Sequence, residues 1–173
     1  MTPKKEQPIA SVDELFSISQ AIVTALIRKG QTLSVAESCT GGLLAKCLTD
    51  VPGASGVFPG GVVAYQNEIK MGLLGVPKEI IDRETEVSAA CAKAMADGVA
   101  ARFATDYALS TTGYAGPGGG TDAHPVGTVF IGFHTPKATT AVCIACPNAS
   151  REEVRVKATA TALSMLLLEL GME

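Results

Sequence analysis

Between positions 11 and 28 the apolar residues Leu15, Ile18, Ile22, Leu26 and Ile27 recur every three to four places, and Gly30 ends the run. That period predicts an amphipathic helix. Residues 32–36 predict a short strand. It leads into Glu37-Ser38-Cys39-Thr40-Gly41-Gly42 and a helix whose apolar side carries Leu44, Cys47 and Leu48. Pro52-Gly53-Ala54-Ser55-Gly56 is turn material. Residues 61–65 predict a second strand, and Asn67 is expected to cap a short helix that reaches Leu74 and is closed by Val76-Pro77. The Ala-rich stretch 87–104 predicts a helix, 107–112 a strand, and 113–120 a glycine-rich loop. Residues 127–134 and 139–146 are rich in Val, Phe, Ile and Thr and predict a hairpin across Thr135-Pro136-Lys137-Ala138. A last helix over 151–170 turns Val154, Ala158, Leu163, Leu166 and Leu170 inward. Strands alternating with helices and then a hairpin predict an α/β fold, a single-domain layered sandwich with a mixed β-sheet flanked by helices. Residues 1–10, polar and Pro-containing, read as a loose arm before one domain covering 11–173.

The chain has 173 residues, 47% of them apolar, which is enough for a core and excludes intrinsic disorder. Fourteen Lys and Arg against 17 Asp and Glu leave a net charge of −3. That balance argues against a nucleic-acid partner. No apolar run reaches the ~18 residues of a membrane span, and Glu6-Gln7-Pro8 stands where a secretory signal would be apolar. A soluble cytoplasmic protein with no membrane partner is expected. The odd count of five cysteines suits reduced thiols. Cys143-Ile-Ala-Cys146 lies in a predicted strand, where residues three apart face opposite sides, so no metal site is expected.

Four segments carry candidate chemistry. In Glu37-Ser38-Cys39-Thr40-Gly41-Gly42 a strand runs into a helix start, whose free N–H groups can hold a phosphate or an oxyanion. Ordinary helix capping explains the same residues. In Tyr65-Gln66-Asn67-Glu68-Ile69-Lys70, a lysine in the first turn of a helix loses its proton more easily, as a base requires. A surface lysine beside a tyrosine is the plain alternative. Thr112-Gly113-Tyr114-Ala115-Gly116-Pro117-Gly118-Gly119-Gly120 leaves backbone amides open for a phosphate, or is a flexible connector. It lacks the Gly-Lys-Ser/Thr of a Walker loop, and a strand follows where a dinucleotide fingerprint needs a helix. Ser150 and Glu153 form a capping box, which leaves Arg151 at a helix start either to hold an anion or to lie on the surface.

In this order, and with Pro125-Val126-Gly127-Thr128-Val129 after them, these motifs resemble the CinA C-terminal domain family of nicotinamide-nucleotide amidohydrolases over roughly residues 12–170. The molybdopterin-binding-like domain of longer members is not in this sequence, so the stand-alone form is the expectation. The resemblance implies hydrolysis of the carboxamide of nicotinamide mononucleotide to nicotinate mononucleotide and ammonia, with no cofactor, and a homodimer. It implies catalytic roles for Ser38, Tyr65 and Lys70. Lys70 would take the serine proton directly or through Tyr65. Substrate-binding roles fall on Glu37, Thr40, Gly41, Gly42, Thr112, Gly116, Gly118, Gly119, Gly120 and Arg151, with the amides of Thr40 to Gly42 receiving the oxyanion. Arg151 and the amides of Gly118 to Gly120 would hold the phosphate. Two positions depart from the family pattern: Ser150 stands where Asp is common, and His124 where Lys often precedes Pro-Val-Gly-Thr. The alternatives are a catalytically silent nucleotide-binding module and a competence or DNA-damage adaptor. A short-chain-dehydrogenase-like reading fails on spacing, since here Tyr and Lys are separated by four residues and the glycine loop follows them.

Overall fold

The computed structural model describes residues 10–172, so the expected loose arm lies almost wholly outside the described residues. Helix α1 (Val12–Lys29) opens on a capping box of Ser11 and Glu14 and stops at Gly30, whose left-handed φ of 63° closes its last turn. Strand β1 (Leu33–Glu37) runs into helix α2 (Leu43–Thr49), and a short 3₁₀ turn (Ala54–Gly56) leads to strand β2 (Gly60–Val63). Helices α3 (Asn67–Leu74), α4 (Lys78–Glu84) and α5 (Ala89–Phe103) follow in succession. Strand β3 (Tyr107–Gly113), the antiparallel pair β4 (Thr128–His134) and β5 (Thr139–Ala145), and helix α6 (Arg151–Glu169) complete the chain.

The five strands form one mixed sheet in the order β2-β1-β3-β4-β5, parallel across β2, β1 and β3 and antiparallel beyond. The period of two along each strand divides the core. Leu33 and Val35 of β1, Leu109 of β3, and Val129, Ile131 and Phe133 of β4 pack with α1, α2 and α6. Ala36 and Ala108 pack on the other face with Leu74, Cys91, Met95 and Val99 of α3 and α5. Small residues let α5 lie close to the sheet on that face. Ser110 Oγ donates to the Ala92 carbonyl at 2.6 Å, and a Cβ on Gly132 would come within 2.3 Å of the same oxygen.

The expected hairpin forms, with Ala138 O accepting from Thr135 N at 3.1 Å in its turn. Most element ends shift by a residue from the sequence reading, and three shifts change a residue's role. Gln66, not Asn67, is the N-cap of α3; β2 ends at Val63, leaving Tyr65 outside the sheet; and α5 begins at Ala89 behind the Ser88 cap. Helix α4 carries no buried residue, so its two isoleucines, Ile80 and Ile81, give no helical stripe in the sequence. Opposite charges at i,i+4, among them the Lys78–Asp82 pair, are its local signal.

Candidate active site at the carboxyl end of β1

Because β1 alternates, Glu37 points with Leu33 and Val35 towards α2, and Ser38 turns to the opposite layer, where α3 lies. Ser38 N donates to Thr111 O at 3.0 Å, which continues the β1–β3 pairing and fixes the serine's direction.

Glu37 is wholly buried, and its carboxylate gathers four donors. Oε2 accepts from Thr40 Oγ1 at 2.6 Å, Gly42 N at 3.0 Å and Leu44 N at 3.1 Å; Oε1 accepts from Ala45 N at 2.8 Å. The start of α2 is thus capped by Glu37 and not by a Ser or Thr before Gly41-Gly42, Gly42 being the N-cap position, and two ligand roles are corrected. Glu37 cannot reach a substrate, and Thr40, 1% exposed, is held between Glu37 and Thr111 Oγ1 at 2.7 Å. Of the amides expected to receive the oxyanion, Gly41 N donates to Ser38 O and Gly42 N to Glu37, so these two are taken, while Thr40 N has no acceptor among the described residues. Gly41 is glycine for another reason. At φ 62° it lies under Arg155, whose Nη2 would meet a Cβ at 1.9 Å while its Nε holds the Cys39 carbonyl at 3.0 Å.

On the other side of β1, Lys70 is 1% exposed and its Nζ lies 3.2 Å from Ser38 Oγ. The same nitrogen donates to the carbonyls of Ala64 at 2.9 Å and Tyr65 at 3.4 Å. Burial lowers the Lys70 pKa from its ordinary range, opposed by charges from the Cys91, Glu86 and Cys39 side. Desolvation is the largest cause of that shift. Burial pushes the Cys39 thiol up to about 12 and the Cys91 thiol up to about 11, so both are uncharged at neutral pH. A protonated thiol is a poor nucleophile, so neither cysteine is activated at neutral pH.

Ser38 and Lys70 open onto a cavity of about 130 Å³ that Tyr65, Glu86, Tyr114 and Arg151 also line. The Tyr65 phenol does not stand between Lys70 and Ser38. Its oxygen accepts from Arg151 Nη2 at 2.9 Å, and Arg151 Nη1 donates to Gly116 O at 2.6 Å. Arg151 therefore ties the glycine loop to the segment after β2, at the mouth of the cavity. Thr112 is buried and its hydroxyl donates to Glu86 O at 2.6 Å, so it steadies the cavity wall without lining it.

Gly118, Gly119 and Gly120 are exposed and do not line this cavity, in contrast to the phosphate role expected for them. Gly120 has no room for a side chain, since a Cβ would come within 2.4 Å of Val126 N. His124 lies in a separate groove, its ring edge-on to Phe130 at 5.2 Å. Ser150 caps α6 in the expected box with Glu153. Cys143 is exposed and Cys146 buried. Sequence reasoning missed Glu86 and Arg155, which owe their places to tertiary packing, and gave no role to Tyr114 inside the glycine-rich motif. No described helix is long and apolar enough to cross a membrane.

Comparisons with known proteins agree with this architecture. The CinA C-terminal domain pattern matches residues 15–170. A CinA-like protein of Myxococcus xanthus is 48% identical over 158 residues, 88% of this chain and 38% of its own length. One of Gloeobacter violaceus is 46% identical over 162 residues, 93% of this chain and 37% of its own. The chain thus spans under two fifths of these curated relatives. Among solved structures, a competence/damage inducible protein of Agrobacterium tumefaciens superposes with a TM-score of 0.88 at 33% identity, covering 96% of this chain and all of the other. A competence damage-inducible protein of Klebsiella pneumoniae gives 0.87 at 34% identity, covering 91% and 97%.

Proposed function

The chain belongs to the CinA C-terminal domain family, and from that premise we propose that it hydrolyses the carboxamide of a pyridine nucleotide, nicotinamide mononucleotide, to the carboxylate and ammonia. The observation that carries this reading is the 3.2 Å contact between Lys70 Nζ and Ser38 Oγ in a cavity where burial favours the neutral amine. A neutral lysine has two hydrogens and one lone pair. The carbonyls of Ala64 and Tyr65 accept the hydrogens, so the lone pair faces the Ser38 hydroxyl, which donates to it.

Ser38 Oγ attacks the amide carbon as its proton passes to Lys70 Nζ. The resulting oxyanion collapses, the C–N bond breaks, and the proton on Lys70 goes to the departing nitrogen, releasing ammonia. Water then enters by the same route: Lys70 takes its proton, hydroxide adds to the ester, and Ser38 leaves with the proton returned. The N–H groups of Gly41 and Leu43 donate to the Ser38 and Thr40 carbonyls, and those of Gly42, Leu44 and Ala45 donate to the Glu37 carboxylate. The Cys39 N–H, next to the nucleophile and on the cavity wall, is the group assigned to the oxyanion. The cavity holds a ring and its amide but is small beside the ~300–1,000 Å³ usual for whole ligands, so the ribose phosphate projects outward past Arg151.

The test is ammonia release by the purified chain offered nicotinamide mononucleotide, nicotinamide and the dinucleotide side by side. Release from the mononucleotide, lost in Ser38→Ala, is expected. Binding of the nucleotide with no ammonia from any of the three would instead establish a silent nucleotide-binding module.

A further inference from the structure

Among the described residues, Glu86 is the one acidic side chain lining the Ser38 cavity. It stands in the short link between α4 and α5, half-buried, and its main-chain carbonyl is held by the Thr112 hydroxyl. Arg151, the cation at the mouth, is bonded to Tyr65 and Gly116. The groups that face Lys70 are Ser38 and Cys39 after β1, the Ala64 and Tyr65 carbonyls after β2, Cys91 on α5, and Glu86. With both thiols protonated, Glu86 is the negative charge that acts on Lys70, and it also acts on Tyr114.

A carboxylate in that position is awkward for a lysine base. It favours the ammonium form, which has no lone pair for the Ser38 proton. The conflict is relieved when a positive charge other than Lys70 enters the cavity. A pyridine ring substituted at nitrogen carries such a charge permanently, and free nicotinamide does not.

We propose that Glu86 makes the site selective for amides borne on a cationic ring, pairing with the ring's charge beside Lys70; this rests on the amidase reading above. Tyr114, an aromatic side chain on the same wall, is a second group suited to a cation. Docking the ring offsets the Glu86 charge and places a like charge near Lys70, and both effects favour the neutral amine. Cationic substrate thereby prepares the base that will act on it. Discrimination against neutral amides falls on kcat as well as on KM.

The experiment compares two small amides that lack the phosphate, 1-methylnicotinamide (a fixed cation) and nicotinamide (neutral), with the wild-type chain and Glu86→Gln. The substitution preserves shape and leaves the Thr112 bond to the main-chain carbonyl in place. Ammonia release by the wild type is expected to favour the cation in kcat/KM by about tenfold or more, the scale of a single charge pair. In Glu86→Gln that ratio should fall towards one, and the acid limb of kcat/KM for nicotinamide should move to lower pH. Equal losses for both amides with an unmoved limb, or no preference in the wild type, would overturn the proposal. Calorimetric binding of both amides to Ser38→Ala and to Ser38→Ala/Glu86→Gln separates the two readings. If no ammonia is released from any substrate, the amidase reading fails. Tighter binding of the cation that depends on Glu86 would still uphold the recognition role, and equal binding would end it.

Discussion

Glu37 and Lys70 are almost equally hidden, at 0% and 1% exposure, and the fold treats them in opposite ways. The Glu37 carboxylate receives three backbone N–H groups and a hydroxyl, so its acceptor capacity is matched by donors that nothing can displace. Lys70 Nζ has two main-chain carbonyls and one hydroxyl around it, and no carboxylate within bonding distance among the described residues. A buried charge so well supplied is a fastening that pins the start of α2 under the Ser38 loop. A buried amine with three oxygens around it but no carboxylate to hold its charge gives up its proton more readily, which is what a base needs. A single peptide bond separates Glu37 from Ser38, the hydroxyl that Lys70 touches.

Substitution at each end should separate these roles. The largest effect is expected from Lys70→Met, which keeps the length and apolar stem of the side chain while removing the lone pair. Ammonia release should fall by about 10²–10⁴-fold, the usual contribution of a positioned base, with substrate binding largely kept. Near-normal turnover would take Lys70 out of the mechanism. Glu37→Gln should act on stability. Its amide NH₂ group would face the Ala45 N–H or displace one of the three donors on the other oxygen, at a cost of about 2 kcal/mol in denaturant unfolding. A fully stable variant would mean that the four bonds are dispensable.

Tyr65→Phe is expected to do less. It removes the acceptor that orients Arg151 and should raise KM by about fivefold, the scale of one hydrogen bond of about 1 kcal/mol, with kcat little changed. A large fall in kcat would restore the proton relay through the phenol. The smallest effect is a pH trend. Lys70's pKa is lowered in the folded state, so between that value and the ordinary ~10.4 the unfolded chain binds more protons and stability rises with pH. Urea midpoints of the wild type should therefore gain on those of Lys70→Met as pH increases through that window. Parallel curves would show that Lys70 titrates normally.

Much of this was legible in the chain. The helical period around Leu15, Ile22 and Leu26, the Val- and Ile-rich strands and the Ser150–Glu153 cap each name their element through local chemistry. Ser38 and Lys70 were legible as a strand-end hydroxyl and a lysine early in a helix. What joins them is the parallel pairing of β1 with β2, which carries α3 back to the end of β1. The identity of the amides left open after Ser38 was not legible. That depends on which layer Glu37 enters, and the same six residues would read alike with the carboxylate facing solvent. Glu86 was silent for a similar reason. Its link follows α4, whose exposed surface leaves no apolar period, and only the packing of α5 on the sheet brings it to the cavity.

The protonation state of Lys70 bears most directly on the chemistry proposed. Titration of its ¹³Cε resonance in the folded chain, assigned by loss of the signal in Lys70→Met, reads that state without substrate. A midpoint clearly below ~10.4 is expected, because desolvation disfavours the ammonium beside Ser38. A midpoint at or above that value would mean that the amine stays charged in its cavity and cannot be the base.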